Sequence, residues 1–278
     1  MENIIRPIIV PWDFTPMAMN AYEHAVNFAA VLKKDIILLH IVKEVSTIDQ
    51  SFEKLKAKSE ELKNEFKIIN HPIIKAGSIF DTIKVVAQEH KAEMAVMGTH
   101  GVKGMQKFFG SNALKVVAHS KMPFVIIQDK PVTNTFENIV FPVDHRRENK
   151  EQVNYINYLA TNFKAKFLIF MQKSNDRGFK KRIASNLHYV ESFCKLNDIN
   201  YEIFSAENKQ SYQKEVVQFA KEMNANMIIV LTTRDLGFID YIIAAKEQYI
   251  IANPEKIPVM CINPKPAKLA SGFRATGG

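Results

Sequence analysis

The stretch Ile8-Ile9-Val10-Pro11-Trp12-Asp13 is echoed later in the chain by Ile139-Val140-Phe141-Pro142-Val143-Asp144. Each copy is a short apolar run that ends in an aspartate, a pattern typical of a buried β-strand leading into a polar turn. Two more pairs follow in the same order, residues 92–97 with 225–230 and residues 120–127 with 255–262. Every pair is separated by roughly 130 residues, too long a period for a solenoid unit, so each copy is expected to be a complete domain.

The repeat predicts two tandem domains, residues 1–131 and 136–265, on either side of a short polar linker. A chain of 278 residues is long enough for both copies to bury a full core. Residues 266–278 lack a periodic apolar pattern and are expected to form a flexible tail.

Within the first copy, short β-rich runs alternate with amphipathic segments, which predicts an α/β fold with crossover helices. Thr15 and Pro16 mark the start of the first helix, because threonine caps free amides and proline is tolerated in the first turn. Ser78 likewise caps a helix predicted at residues 79–89, and a further helix is predicted at residues 111–118. The expected architecture is two tandem open doubly wound parallel sheets with helices on both faces, packed with pseudo-twofold symmetry. Each sheet is expected to have five strands in the order 3-2-1-4-5.

The composition, with 47% apolar and 24% charged residues, is that of an ordinary globular protein. The two cysteines, Cys194 and Cys261, are far apart, so neither a disulfide framework nor a zinc site is indicated. The sequence shows no basic leader and no run near the ~20 apolar residues of a membrane helix. We therefore expect a cytoplasmic protein without a membrane partner. The net charge of +8 comes from scattered lysines, which favours a solvated face over a nucleic-acid site.

A glycine-rich segment follows the fourth predicted strand and contains Gly98, Gly101 and the pair Gly110-Ser111. Glycines let a backbone approach a ligand closely, and a helix N-terminus presents free amides to phosphate. In a doubly wound sheet the ligand crevice lies where the strand order reverses, beside the first and fourth strands. Asp13 and Gly98 are therefore expected to face one cleft.

These residues resemble the universal stress protein family, whose hallmark is a Gly-two-residues-Gly-nine-residues-Gly-Ser/Thr loop after the fourth strand. Here only eight residues, 102–109, separate Gly101 from Gly110, so the loop is one residue shorter than the usual form. The stretches 10–15 and 38–41 also resemble the family's first-strand motif and second-strand end. The resemblance covers nearly the whole chain and implies a tandem form.

The resemblance also implies a binding site for ATP or a related adenine nucleotide in the N-terminal domain only, with Mg²⁺ accompanying ATP. In ATP-binding members, the residue at Asp13 and the backbone at Ile41 contact the adenine side, while Met97 and Gly98 approach the ribose. The phosphates are then assigned to Gly101, Gly110, Ser111 and Asn112. A structural interpretation stands beside this one, because Asp13 also suits a helix cap and glycines after a strand also suit a turn. Thr15 and His100 are weaker candidates for the same reason.

The second copy departs from the loop pattern. Both glycines of the first turn are absent from residues 230–234, and Ala244-Ala245 stand near the expected helix start. His145-Arg146 replaces Phe14-Thr15 after the aspartate. We therefore expect no nucleotide there. Instead, residues 124–127 are expected to face residues 259–262 in an intramolecular pseudo-dimer. The sequence leaves open whether two such chains also form a homodimer.

Three functions follow from this sequence. The first is a stress-response sensor that binds an adenine nucleotide and signals through an unidentified protein partner. The second is a ligand-free interaction module, which the shortened loop keeps open. The third is a slow ATPase, which is disfavoured because no Walker element or nucleotidyl-transferase motif is present and no catalytic or metal-ligating residue is identified.

Overall fold

The computed structural model describes residues 6–98, 122–151, 153–231 and 247–262. The strands are β1 (Ile8–Pro11), β2 (Ile36–Val42), β3 (Asn70–Ala76), β4 (Met94–Gly98), β5 (Phe124–Ile127), β6 (Asn138–Val143), β7 (Lys166–Met171), β8 (Tyr201–Ser205), β9 (Met227–Leu231) and β10 (Val259–Ile262). The helices are α1 (Pro16–Leu32), α2 (Ile48–Phe66), α3 (Ile79–Glu89), α4 (Val153–Phe163), α5 (Arg177–Leu196) and α6 (Tyr212–Glu222). Two 3-10 helices span Val45–Thr47 and Arg147–Glu151, and residues 247–251 are helical.

All ten strands belong to one sheet with the order β3-β2-β1-β4-β5-β10-β9-β6-β7-β8. Strands within each half are parallel, whereas β5 and β10 pair antiparallel at the centre. The predicted α/β class is confirmed, and both halves have the order 3-2-1-4-5 by their own strand count. The two expected sheets are joined edge to edge into one. The proposed boundaries at residues 131 and 136 fall in the connection between β5 and β6.

Local signals explain where three helices begin. The Thr15 hydroxyl accepts a hydrogen bond from the Ala18 amide at 3.2 Å, and Pro16 occupies the first turn of α1. Ser78 caps α3 in the same way, and the Asp176 carboxylate caps α5. These side chains satisfy amides that have no partner inside the helix. The predicted caps at Thr15 and Ser78 are confirmed, whereas the helix predicted at residues 111–118 and the tail at 266–278 lie outside the described residues.

Two apolar layers cover the sheet, one on each face. Alternate residues of β1 divide between them, because successive side chains of a strand point to opposite faces. Ile8 and Val10 join the layer that contains buried residues of α1, α2, α4 and α5, and Ile9 joins the layer that contains those of α3 and α6. Both layers run through the two halves, so the halves share their core.

The seam between the halves is apolar at its centre. Every residue of β5 and β10 is buried, and Val125 pairs with Met260 across the antiparallel junction. Beside it, Phe28 of α1 packs against Phe136 and Phe163, with ring centroids 4.5 and 5.7 Å away. The pairing covers two strand edges that would otherwise be open to association with other chains.

Polar contacts tie the connection between the halves to α1 and to the approach to β10. The His24 Nε2 donates to the Asp129 carbonyl oxygen at 3.1 Å, and Lys256 forms an ion pair with the Asp129 carboxylate at 2.8 Å. The Gln128 amide donates to the Asn253 carbonyl at 2.8 Å. Because His24 is buried, its pKa is lowered to about 4, although the bond to the Asp129 carbonyl acts in the opposite direction.

The lowered pKa of His24 predicts a loss of stability in acid. Above pH 6.5 the ring is neutral in both states, but between pH 6.5 and 4 the unfolded chain takes up its proton first. The free energy of unfolding should fall by roughly 2 to 3 kcal/mol from this group between about pH 7 and pH 4.5. Urea denaturation of the His24→Gln variant, whose amide can still donate to Asp129, should show a correspondingly shallower pH dependence.

The exposed His90 provides the control, since the His90→Gln variant should follow the wild-type pH profile. An unchanged profile in the His24→Gln variant would show that burial of His24 does not couple the seam to pH.

Candidate functional site

The carboxyl ends of β1 and β4 lie side by side where the strand order reverses, which is the position of the ligand crevice in doubly wound sheets. The two strands are neighbours, with Ile8 paired to Met94, and they end at Pro11 and Gly98. Buried residues of α1, which leaves β1, join the layer on one face, whereas those of α3, which leads into β4, join the layer on the other. The two helices thus lie on opposite faces of the sheet, the arrangement that forms a ligand crevice in doubly wound sheets.

Asp13 stands at the rim of this crevice, two residues after β1, and is half-buried. Its Oδ1 atom accepts hydrogen bonds from the Thr15 amide at 3.1 Å and from the Thr15 hydroxyl at 2.5 Å. Phe14 between them has a φ of 61°, so the chain turns sharply there. Among the described contacts, none uses Oδ2 of Asp13. The carboxylate thus combines a structural role through one oxygen with an acceptor available to a ligand through the other.

Ile41 lies on the other side of the crevice, at the end of β2. The strand β2 continues three residues past Leu39, which pairs with Pro11 at the end of β1. Backbone groups of alternate residues point to the same neighbour, and the Leu39 carbonyl, which accepts from the Trp12 amide, faces β1. The Ile41 amide and carbonyl face the same side, beyond the end of β1. No residue of β1 pairs with Ile41, so these two backbone groups do not take part in the pairing of β1 with β2.

Several aromatic side chains cluster around this end of β1. The sequence did not predict this cluster. His40 Nδ1 donates to the Trp12 carbonyl at 2.7 Å, and its ring meets the Phe14 ring edge-on at 5.2 Å. The Lys54 ammonium lies 4.1 Å from the centre of the Phe14 ring, close enough for a cation–π contact. These contacts fix the turn that carries Asp13.

Met97 and Gly98 end β4, and both are buried. The Met97 side chain packs in the layer shared with α3, so only its backbone is available to a ligand. A Cβ at Gly98 would collide with the Met17 side chain and lie 3.3 Å from the Met17 carbonyl oxygen. The absence of a side chain at Gly98 therefore lets α1 pack closely on β4. The other loop residues named from the sequence, Gly101, Gly110, Ser111 and Asn112, lie outside the described residues, as does His100.

The second half has an equivalent position at the ends of β6 and β9, where Asp144 stands in the place of Asp13. The Arg146 amide donates to Asp144 Oδ1 at 2.9 Å, which repeats the contact between Thr15 and Asp13. The Arg146 side chain then folds back over the strands. Its Nε donates to Asp144 Oδ2 at 2.7 Å, and its guanidinium also bonds the Leu231 carbonyl at 3.3 Å and the Glu247 carboxylate.

The charges of this network are matched. Burial alone would lower the pKa of Arg146, but the neighbouring Asp144 and Glu247 carboxylates outweigh it and raise the pKa. Two asparagine side chains stabilise the turn that carries Asp144 and Arg146. Asn149 donates to Asp144 Oδ1 at 2.7 Å, and Asn186 of α5 donates to the Arg146 carbonyl at 2.7 Å. Such a pair is costly to break, because removing one partner leaves a buried charge unmatched.

The cavity that remains beside Arg146 measures about 30 Å³ and is lined by Asp144, Arg146, Tyr212 and Glu247 among others. That volume accommodates about one water molecule and no base or sugar. Residues 232–246 lie outside the described residues, and within the described ranges the Arg146 side chain occupies the position beside Asp144 that is equivalent to the position beside Asp13 Oδ2. The sequence showed that Arg146 replaces Thr15 and missed the partners that its side chain reaches.

Within residues 6–98, 122–151, 153–231 and 247–262, no three His, Cys, Asp or Glu side chains cluster in a way that could hold a metal ion. No helix in these same ranges combines the length and apolar character needed to cross a membrane.

The tight approach of Gly98 to Met17 predicts that the Gly98→Ala variant is destabilised by about 1 to 3 kcal/mol, because the new methyl group overpacks the contact between α1 and β4. Shortening the neighbour in the Gly98→Ala/Met17→Ala variant should recover part of this loss, which a double-mutant cycle of urea unfolding measures. A Gly98→Ala variant as stable as the wild type would remove the packing role of this glycine.

Comparisons with known proteins agree with this architecture. Residues 5–128 match the universal stress protein family. The universal stress proteins MJ0531 and MJ0577 of Methanocaldococcus jannaschii are 24% and 23% identical to this chain, over 46% and 47% of its length and 84% and 99% of theirs. A universal stress protein structure from Archaeoglobus fulgidus superimposes with a TM-score of 0.71 at 16% identity, covering 94% of this chain and 98% of that one, and so shares the fold along both halves. The first half of the chain, residues 5–128, therefore matches the universal stress protein family, and the second half repeats the fold of the first.

Proposed function

We propose that this chain binds an adenine nucleotide, ATP in the first instance, in its N-terminal half only, and that a protein partner responds to the bound state. The observation that carries the proposal is the contrast between two equivalent aspartates. Asp13 has one carboxylate oxygen that no described group engages, at the carboxyl edge of β1. In Asp144 the same oxygen is bound by the Arg146 guanidinium.

The groups at the crevice complement adenine. The base carries an amino group that donates hydrogen bonds and ring nitrogens that accept them. Asp13 Oδ2 is an acceptor suited to the amino group, and the Ile41 amide is a donor suited to a ring nitrogen. Guanine carries a carbonyl oxygen where adenine carries its amino group, and a carboxylate repels that oxygen. The site should therefore prefer adenine over guanine.

The remainder of the nucleotide follows the resemblance to ATP-binding universal stress proteins. The ribose would lie against the backbone of Met97 and Gly98, and the phosphates are assigned to Gly101, Gly110, Ser111 and Asn112. Mg²⁺ would enter with the phosphates of ATP, since carboxylate clusters for a dedicated metal are absent from the described ranges. When bound, the ion neutralises phosphate charge.

The behaviour of ATP distinguishes this proposal from the two alternative functions. A slow ATPase would require product formation in the bound state, and a ligand-free interaction module would show no binding at all. The domain limits 1–131 and 136–265 and the cytoplasmic location are part of this proposal. A homodimer of two tandem chains is a further association that this proposal leaves open.

Calorimetric titration of ATP against wild type and the Asp13→Asn variant tests the proposal. Asparagine retains an oxygen for Thr15 and places an amide donor where the adenine amino group needs an acceptor. A hydrogen bond to a charged group contributes about 1.5 to 3 kcal/mol, so the affinity should fall roughly tenfold to a hundredfold. Wild type should bind one ATP per chain and bind GTP more weakly.

The Asp144→Asn variant is the matched control, because it makes the same change at the equivalent position of the closed half. It should lose stability, since Arg146 loses a charged partner, and keep its affinity for ATP. Equal loss of affinity in both variants would place the nucleotide elsewhere, and no binding by the wild type at millimolar ATP would leave the interaction module as the function.

A further inference from the structure

Most of the excess positive charge of the chain lies on one surface of the second half. The surface consists of residues 145–150, around the 3-10 helix, and residues 173–189, which lead into and form the first part of α5. We refer to it as the basic surface. Its cations, apart from the ion-paired Arg146, are Arg147, Lys150, Lys173, Arg177, Lys180, Lys181 and Arg182.

Only two acidic side chains in these segments accompany the seven cations, Glu148 and Asp176. The Asp176 carboxylate is already engaged as the cap of α5, where it accepts from the Phe179 amide at 2.7 Å. None of the seven cations forms an ion pair among the described contacts. The surface therefore presents a net excess of positive charge to solvent.

The placement of these charges on α5 is unfavourable for the helix itself. Four of them, at positions 177 and 180–182, lie in its first two turns, where the positive end of the helix dipole favours acidic residues. The helix dipole would instead favour these cations near the C-terminus of the helix. An anionic partner at this surface would remove that cost.

Two exposed rings lie among the cations. Phe179 is 39% exposed, and one face of its ring stacks on His145 with centroids 4.2 Å apart and planes at 14°. The His145 ring is oriented in turn by a bond of 3.4 Å from its Nδ1 to the Gln172 side chain. Tyr189 is 43% exposed, and the Lys150 ammonium lies 5.5 Å from the centre of its ring.

Folding brings these groups onto one surface although they are distant in sequence. Lys150 donates to Ser185 of α5 at 3.2 Å, and Asn186 of α5 bonds the carbonyls of Asp144 and Arg146. Phe179 and Tyr189 are ten residues apart on the helix, which separates them by about 15 Å. Lys150 of the first segment lies beside the Tyr189 ring of the second, and Phe179 stands in sequence among the cations at positions 177 and 180–182.

We propose that the basic surface binds single-stranded nucleic acid, with bases stacking on Phe179 and Tyr189 and phosphates contacting the surrounding cations. Sites for single strands combine a positively charged track with aromatic platforms in this way. The rings favour this partner over an anionic membrane, since Phe179 is stacked flat on His145 and Lys150 lies over Tyr189, whereas lipid binding uses a continuous apolar helix face.

This site is separate from the proposed nucleotide crevice. Because β5 and β10 pair antiparallel, the carboxyl ends of the strands in the two halves emerge at opposite edges of the sheet. The basic surface lies at the ends of β6 and β7, and the crevice lies at the ends of β1 and β4. The proposal therefore stands independently of nucleotide binding.

Fluorescence anisotropy with labelled oligo(dT) and oligo(U) of about 15 nucleotides, at about 50 and 200 mM salt, tests the proposal. Replacing residues 177, 180, 181 and 182 with glutamine should weaken binding at least about tenfold and flatten its salt dependence, because phosphate contacts release counterions. The matched control replaces Lys56, Lys67, Lys84 and Lys214, four exposed lysines elsewhere, with glutamine and should leave binding within about twofold.

Loss of the ring in Phe179→Ala should weaken binding about five- to tenfold with the salt dependence unchanged, and Phe179→Trp should restore it. Circular dichroism establishes that each variant is folded. Equal loss in the two glutamine variants, or full binding by Phe179→Ala, would overturn the proposal. So would binding to vesicles rich in phosphatidylserine without binding to either oligonucleotide.

Discussion

The antiparallel pairing of β5 with β10 is the contact on which the rest of this structure depends. Both strands are fully buried, so neither half could leave its edge open without exposing an apolar strand. The pairing merges two five-stranded sheets into one, lets two apolar layers run through both halves, and draws Phe28, Phe136 and Phe163 together beside the seam. It also places the carboxyl ends of the strands of the two halves at opposite edges of the sheet.

The two halves differ at a position in a repeated turn that is occupied by Thr15 in the first half and by Arg146 in the second. Thr15 and Arg146 both donate their amides to the preceding aspartate, so the backbone of the turn is the same in the two halves. The short threonine also caps α1 and leaves Asp13 Oδ2 without a described partner, whereas the long arginine reaches Asp144, Glu247 and the end of β9. In the proposed function, this internal cation occupies the position that the first half offers to a ligand, and its buried ion pairs are costly to break.

The sequence predicted the features that arise from local signals. Apolar runs located the strands, and Thr15 with Pro16 and Ser78 located two helix starts, because both signals act within a few residues. The strand order and the facing of residues 124–127 with 259–262 followed from the repeat and the family resemblance. What the sequence did not predict depends on partners far along the chain. Arg146 meets Glu247, His145 stacks on Phe179, and Gly98 accommodates Met17. The lysines looked scattered because the segments that form the basic surface meet only after folding.

In the proposed function, one half of the tandem chain accepts a nucleotide and the other is closed by its own side chains. A crystal structure of the chain grown with a non-hydrolysable ATP analogue distinguishes the two halves. We expect one analogue per chain, its base between Asp13 and the Ile41 backbone, and the Arg146 network unchanged. Density for a base at the ends of β6 and β9, with Arg146 displaced from Asp144, would contradict this expectation.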